Sequence, residues 1–145
     1  MDEKKFWEAV RFAMEKESES HDFYVKASKA ARFRRTKDIL MGFAVEEEEQ
    51  KEVLENLLKE RGYSVDIISS FDLNLDDYFK DEEFTPGSTF RATRWVAIRI
   101  EEHSIRLYSD LIEATGNKDL KNIFSRLLEL EQQHKQKIEE ETFGK

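Results

Sequence analysis

The sequence predicts an all-α fold, a four-helix bundle built from two repeated helical hairpins joined by one long crossover. Three observations predict it. Four long stretches carry apolar residues in alternating steps of three and four, the period of an amphipathic helix. The polar residues that interrupt these stripes recur at a fixed offset of 84 residues between the first pair of stretches and the second. Between the pairs lies a segment, residues 62–88, whose periodicity is mixed and which ends in a turn signal.

The first hairpin is expected over residues 3–61. Its first helix runs from about Glu3 to Ala31, with an inward stripe of Phe6, Val10, Ala13, Glu17, Ser20, Tyr24 and Ala27. The basic run Arg32-Phe33-Arg34-Arg35 reads as the end of that helix, because cations favour the C-terminal turn, and residues 33–36 as the connection. The second helix runs from Lys37 to Arg61 and stops at Gly62; its stripe is Leu40, Phe43, Glu47, Gln50, Leu54 and Leu57.

The crossover, residues 62–88, is expected to be a long connection with one short helix around Asp72 to Phe79, and Thr85-Pro86-Gly87-Ser88 is its closing turn. A helix of 25 residues is about 38 Å long, and an extended chain covers that in about 12 residues. The crossover is therefore long enough to run the length of the bundle, which an up-down-up-down arrangement does not need.

The second hairpin is expected over residues 89–142. Ser88 is read as the N-cap of a helix from Thr89 to Thr115, stopped by Gly116, with the stripe Phe90, Ala97, Glu101, Ser104, Tyr108 and Leu111. The last helix spans Lys118 to Thr142, with the stripe Leu120, Phe124, Leu127, Glu131, His134 and Ile138. At the 84-residue offset Phe6 maps to Phe90, Glu17 to Glu101, Tyr24 to Tyr108, Glu47 to Glu131 and Gln50 to His134.

Composition narrows the function classes. A chain of 145 residues is of a size for one domain. Charged residues make up 39%, well above the usual share of about a quarter, which suits helices with solvated outer faces. The net charge of −8 argues against nucleic acid as a partner. The absence of cysteine removes disulfides, thiolate metal sites and cysteine nucleophiles. No apolar run is long enough to span a membrane and the N-terminus lacks a signal-peptide core, so a cytoplasmic location is expected.

The chemistry is carried by the polar breaks in the stripes. Glu131 and His134 share one face of the fourth helix, since residues three apart do. Burying them costs free energy unless something pairs with them. The repeat adds Glu47 with Gln50, and a lone Glu on each remaining helix, Glu17 and Glu101. Four carboxylates facing one another repel or take up protons unless cations offset them. Carboxylate oxygens with imidazole suit iron or manganese, and zinc would tolerate much of the set.

The arrangement resembles the ferritin-like diiron carboxylate proteins and, among them, the rubrerythrin family. A Glu from each of two helices with Glu-x-x-His from the other two is a known pattern of that superfamily. Glu17-Ser-Glu-Ser-His-Asp-Phe-Tyr24 and Glu101-Glu-His-Ser-Ile-Arg-Leu-Tyr108 resemble the family's first and third helices. Phe43-Ala-Val-Glu-Glu47-Glu-Glu-Gln50 and Leu127-Leu-Glu-Leu-Glu131-Gln-Gln-His134 resemble its second and fourth. The resemblance implies two iron ions bridged by Glu47 and Glu131, with Glu17 and Glu101 as terminal ligands and His134 as a nitrogen ligand. Tyr24 and Tyr108 are implied as donors that hold the carboxylates. It also implies a reaction in which ferrous ions reduce peroxide or dioxygen and become oxidised.

Two departures bear on that expectation. Gln50 stands where a second His is expected, and an amide oxygen is a poorer ligand than imidazole. The family's four-cysteine iron site for electron transfer has no counterpart in a sequence without cysteine, so electrons must come from an external donor. The competing reading is a metal-handling or structural bundle without turnover. His21 and His103 fit the stripes poorly and are read as boundary residues. A second apolar stripe, Phe12 and Phe23 with Val96, Ile100 and Leu107, is read either as covered by the crossover or as a homodimer surface.

Overall fold

The computed structural model describes residues 2–60, 62–68, 86–87 and 89–140. Four helices account for most of them: α1 (Glu3–Ala30), α2 (Arg34–Glu60), α3 (Phe90–Ala114) and α4 (Lys118–Glu140). Among the described residues there is no strand, only an isolated antiparallel bridge between Ile67 and Thr115. The short helix expected around Asp72 to Phe79 and the expected last turn to Thr142 lie outside the described residues.

Helix ends follow from local chemistry. Asp2 caps α1 by accepting a hydrogen bond from Lys5 N at 2.8 Å. Thr89, rather than Ser88, caps α3, its hydroxyl accepting from Ala92 N at 3.1 Å. The basic run does not close α1 as expected: α2 begins at Arg34, so Arg34 and Arg35 open the second helix instead. The last carbonyls of α1 are met from across the turn by Lys37, whose Nζ donates to Ser28 O at 3.3 Å and Lys29 O at 3.1 Å. In return Ser28 Oγ donates to Lys37 O at 2.8 Å. A cation does serve the C-terminal dipole of α1, but it comes from the next helix.

Side-chain contacts fix the directions. Tyr24 reaches Glu101 while Tyr108 reaches Glu17, so α1 and α3 run antiparallel. The short Ala31–Phe33 turn makes α1 and α2 antiparallel as well. Successive helices α2 and α3 are therefore parallel, so the end of α2 and the start of α3 lie at opposite ends of the bundle. The described ends of the connection agree. Residues 62–68 lie against the turn between α3 and α4, with Ile68 N donating to Ala114 O at 3.0 Å and Gly116 N to Asp66 O at 2.7 Å. Pro86 and Gly87 lie at the opposite end beside Ala27, Ala30 and Leu40. A Cβ at Gly116 would meet the Asp66 carboxylate, so any larger residue there would have to turn that side chain aside.

The core falls into two apolar clusters. One, at the α3–α4 turn, includes Phe6, Val10, Leu54, Leu57, Leu111, Leu120 and Phe124. The other, at the α1–α2 turn, includes Phe23, Ala27, Leu40, Phe43, Ala97, Ile100 and Ile138. Each fully buried Leu, Ile or Phe contributes about 1.5–3 kcal/mol. Phe23, Ile100 and Leu107 of the second apolar stripe are buried within the chain, and Phe12 and Val96 are partly buried against the same clusters. Between the clusters, at mid-helix, lies a layer of buried polar side chains: Glu17, Ser20, Glu47, Gln50, Glu101, Ser104, Glu131 and His134.

Candidate metal centre

All six candidate ligands, Glu17, Glu47, Gln50, Glu101, Glu131 and His134, lie in this layer, each at most 3% exposed. The helical period explains it. On each helix the polar residue continues the stripe that is apolar above and below, so packing that buries the stripe buries the carboxylate with it. Four of the six, Glu47, Glu101, Glu131 and His134, bring one ligand atom each within 4.8 Å of one another. Glu17 and Gln50 stand at the margins of this cluster: Glu17 faces Glu47, and the Gln50 amide faces Glu131.

The two hairpins are joined across the layer by a reciprocal pair of hydrogen bonds. Tyr24 OH donates to Glu101 Oε1 at 2.5 Å, and Tyr108 OH donates to Glu17 Oε1 at 2.6 Å. These are the same contact seen twice at the 84-residue offset. Burial first, and the neighbouring carboxylates second, push both tyrosines well above their ordinary value, so they remain donors. Phe43 covers one face of the His134 ring at 4.7 Å between centroids.

The electrostatics are strained. Burial raises Glu47 and Glu131 well above the usual carboxylate range, and mutual repulsion adds to it. Glu17 is also raised, chiefly by burial. Glu101 differs: burial pushes it up, but His134, Glu131 and the Tyr24 hydroxyl together outweigh that and hold it below its ordinary value. His134 is opposed by burial, yet the carboxylates Glu101 and Glu46 prevail and raise it to about 10. Its Nδ1 lies 3.1 Å from Glu47 Oε1, 3.7 Å from Glu101 Oε1 and 3.9 Å from Glu131 Oε1.

Several atoms here have no hydrogen-bond partner of normal geometry among the described residues: Glu17 Oε2, Glu47 Oε2, Glu101 Oε2, both oxygens of Glu131, and both amide atoms of Gln50. Buried polar groups are otherwise nearly always satisfied. No lysine or arginine is among the buried described residues, and His134 is the one cation facing four glutamates. Unsatisfied oxygens pointing into a shared space with excess negative charge fit divalent cations, and a donor set of oxygens and one imidazole fits hard or borderline metals. The residues present thus suit a metal centre on their own chemistry.

His21 and His103 are half-buried and outside the cluster, His21 Nδ1 lying 3.2 Å from Asp22 Oδ1. One residue escaped the sequence reading. Glu46 stands in the run Glu46–Glu49, of which only Glu47 lies on the inward stripe, yet its Oε2 meets His134 Nε2. Helical periodicity does not find it, because Glu46 lies off the stripe and meets His134 only through the packing of α2 against α4.

A ferritin-like four-helix bundle with a buried glutamate–histidine layer defines the class: a carboxylate protein able to hold metal inside its core. A family model described as Rubrerythrin matches residues 8–142, nearly the whole chain, and the chain belongs to that family. No curated protein matches it.

Proposed function

We propose that the protein binds two metal ions, iron foremost, in the polar layer and uses them to reduce hydrogen peroxide or dioxygen with electrons from a separate donor. The observation that carries this reading is the set of buried, unpartnered carboxylate oxygens contributed by all four helices. In this reading Glu47 and Glu131, one from each hairpin, would take the central positions, Glu17 and Glu101 the terminal ones, and His134 would be the nitrogen donor; ligand atoms of Glu47, Glu101, Glu131 and His134 lying within 4.8 Å of one another support it. Bound ferrous ions would supply the two electrons that, with two protons, convert one peroxide to two waters.

The chain's own residues set the conditions. Tyr24 and Tyr108 orient Glu101 and Glu17 and remain protonated while doing so. The apolar clusters above and below exclude bulk water, which strengthens each charge interaction between them. Cation binding would compete with protons held by His134 and by the raised carboxyls, so loading is expected to release protons. Gln50 favours a second reading, a metal-binding bundle without turnover, because an amide holds its metal position less firmly than imidazole.

Anaerobic reconstitution with ferrous iron separates the readings. Two irons per chain, followed by rapid oxidation on adding peroxide, is the expected result. Two irons with no oxidation would leave the binding reading alone standing. Near-zero iron, or full binding in Glu131→Ala, would overturn the centre.

A further inference from the structure

Glu46 is unlike every other acidic group near the centre. Its side chain is 48% exposed, yet its carboxylate meets the Nε2 of a histidine that is 3% exposed. It lies on the edge of a groove of about 380 Å³ between α2 and α4, also lined by Glu49, Gln50, Ile123, Arg126 and Leu127. His134 therefore has two distinct sides. Nδ1 faces the buried glutamates, and Nε2 faces a carboxylate at the surface.

Neutral imidazole carries one proton, on either nitrogen, and the bare nitrogen is the one that can bind a metal. For His134 to present Nδ1 to the cluster, the proton must sit on Nε2. A carboxylate that accepts from Nε2–H fixes that tautomer, fixes the ring's rotation and makes Nδ1 a better donor. Burial alone leaves either tautomer open, and the glutamates around Nδ1 favour placing a proton there, the wrong arrangement for ligation. An acceptor on the far side is what tips the choice.

We infer that Glu46 is the positioning residue of the centre: by accepting a hydrogen bond from His134 Nε2–H it holds the imidazole as an Nδ1 ligand for a divalent cation. Glu46 itself touches no metal position, since it lies on the opposite side of the ring from Glu47, Glu101 and Glu131. The inference rests on the metal-centre reading. It adds an outer contact from α2 to a ligand on α4, one that the 84-residue repeat does not duplicate: the residue equivalent to Glu46 is Leu130.

The test uses the full chain, zinc as a diamagnetic probe, and three variants. Glu46→Ala removes the acceptor, Glu46→Gln keeps an acceptor oxygen without the charge, and Glu49→Ala removes an acid of the same groove that does not touch His134. Zinc affinity is measured by competition with a chelator, and the protonated ring nitrogen of His134 by ¹⁵N NMR of the zinc-loaded protein. The expected result is a zinc affinity about 10–100-fold lower in Glu46→Ala, a smaller loss in Glu46→Gln, and none in Glu49→Ala. Wild type and Glu46→Gln should show a protected Nε2–H signal that Glu46→Ala lacks. Equal affinity and an unchanged His134 signal in Glu46→Ala would overturn the positioning role while leaving the centre intact. Absence of zinc binding in the wild type would overturn both.

Discussion

Glu17 and Glu101 occupy the same place in the two hairpins, each buried and each accepting a hydrogen bond from the other hairpin's tyrosine. Yet burial leaves Glu17 raised, while Glu101 lies below the ordinary carboxylate range. The largest single source of the difference is one exchange. His134 lies 3.7 Å from Glu101 and brings a positive charge; its repeat mate Gln50 brings none. A nearly twofold site thus acquires two unequal halves without any change in the backbone plan. Symmetry of the fold makes the layer, and the one residue that breaks it sets where charge resides.

The shared part of the two halves is most severely tested at the central glutamates. Glu47→Ala and Glu131→Ala should each abolish binding of both metals, a loss beyond the roughly hundredfold range of outer contacts, measured as iron per chain after anaerobic loading. A variant that still loads fully would remove its glutamate from the centre. The same positions should carry the opposite sign for folding. Replacing the strained carboxyl with an amide in Glu131→Gln should raise metal-free stability by about 1 kcal/mol or more in chemical denaturation.

The tyrosines sharpen the inequality. Tyr24 donates to the carboxylate held low and charged, whereas Tyr108 donates to one raised toward neutrality. Hydrogen bonds to charged groups are worth about 1.5–3 kcal/mol and neutral ones about 1. Tyr24→Phe should therefore cost more than Tyr108→Phe in chemical denaturation of the metal-free protein, each loss falling within about 1–3 kcal/mol. Equal losses would show that the two outer carboxylates share one charge state.

The pH dependence of the metal-free protein has a definite sign. Glu17, Glu47 and Glu131 are raised in the fold, so the folded state holds more protons than the unfolded one above pH 4.5, and stability falls as pH rises through the folded values. His134 acts in the same direction: its contribution is complete below pH 6.5 and is lost as pH climbs toward about 10. Glu101, held low, acts in the opposite sense, its contribution present above pH 4.5 and lost as acid protonates it. The melting temperature of the metal-free protein should fall steadily from pH 6 to pH 9, and metal should flatten the decline. A melting temperature that rises over that interval would contradict the assigned shifts. The smallest effect belongs to Ser20, whose buried hydroxyl lacks a partner among the described residues; Ser20→Ala should change stability by less than about 0.5 kcal/mol.

Much of this was legible in the residues. Stripe periodicity placed Glu17, Glu47, Gln50, Glu101, Glu131 and His134 at core positions, and the 84-residue offset matched them into one layer. The parallel relation of α2 and α3 followed from the length of residues 62–88. Contacts that depend on how one helix turns against another were not legible. Lys37 serving the end of α1, Thr89 in place of Ser88, and above all Glu46 against His134 arise from interhelical rotation, which a single helix's period does not encode.

The unequal halves are the central claim, and an anaerobic ferrous titration by calorimetry tests them most directly. Wild type should bind two irons in two separated steps, and Gln50→His should draw the steps together by strengthening the weaker one. A single step with two equal sites in the wild type, unchanged by Gln50→His, would contradict the account.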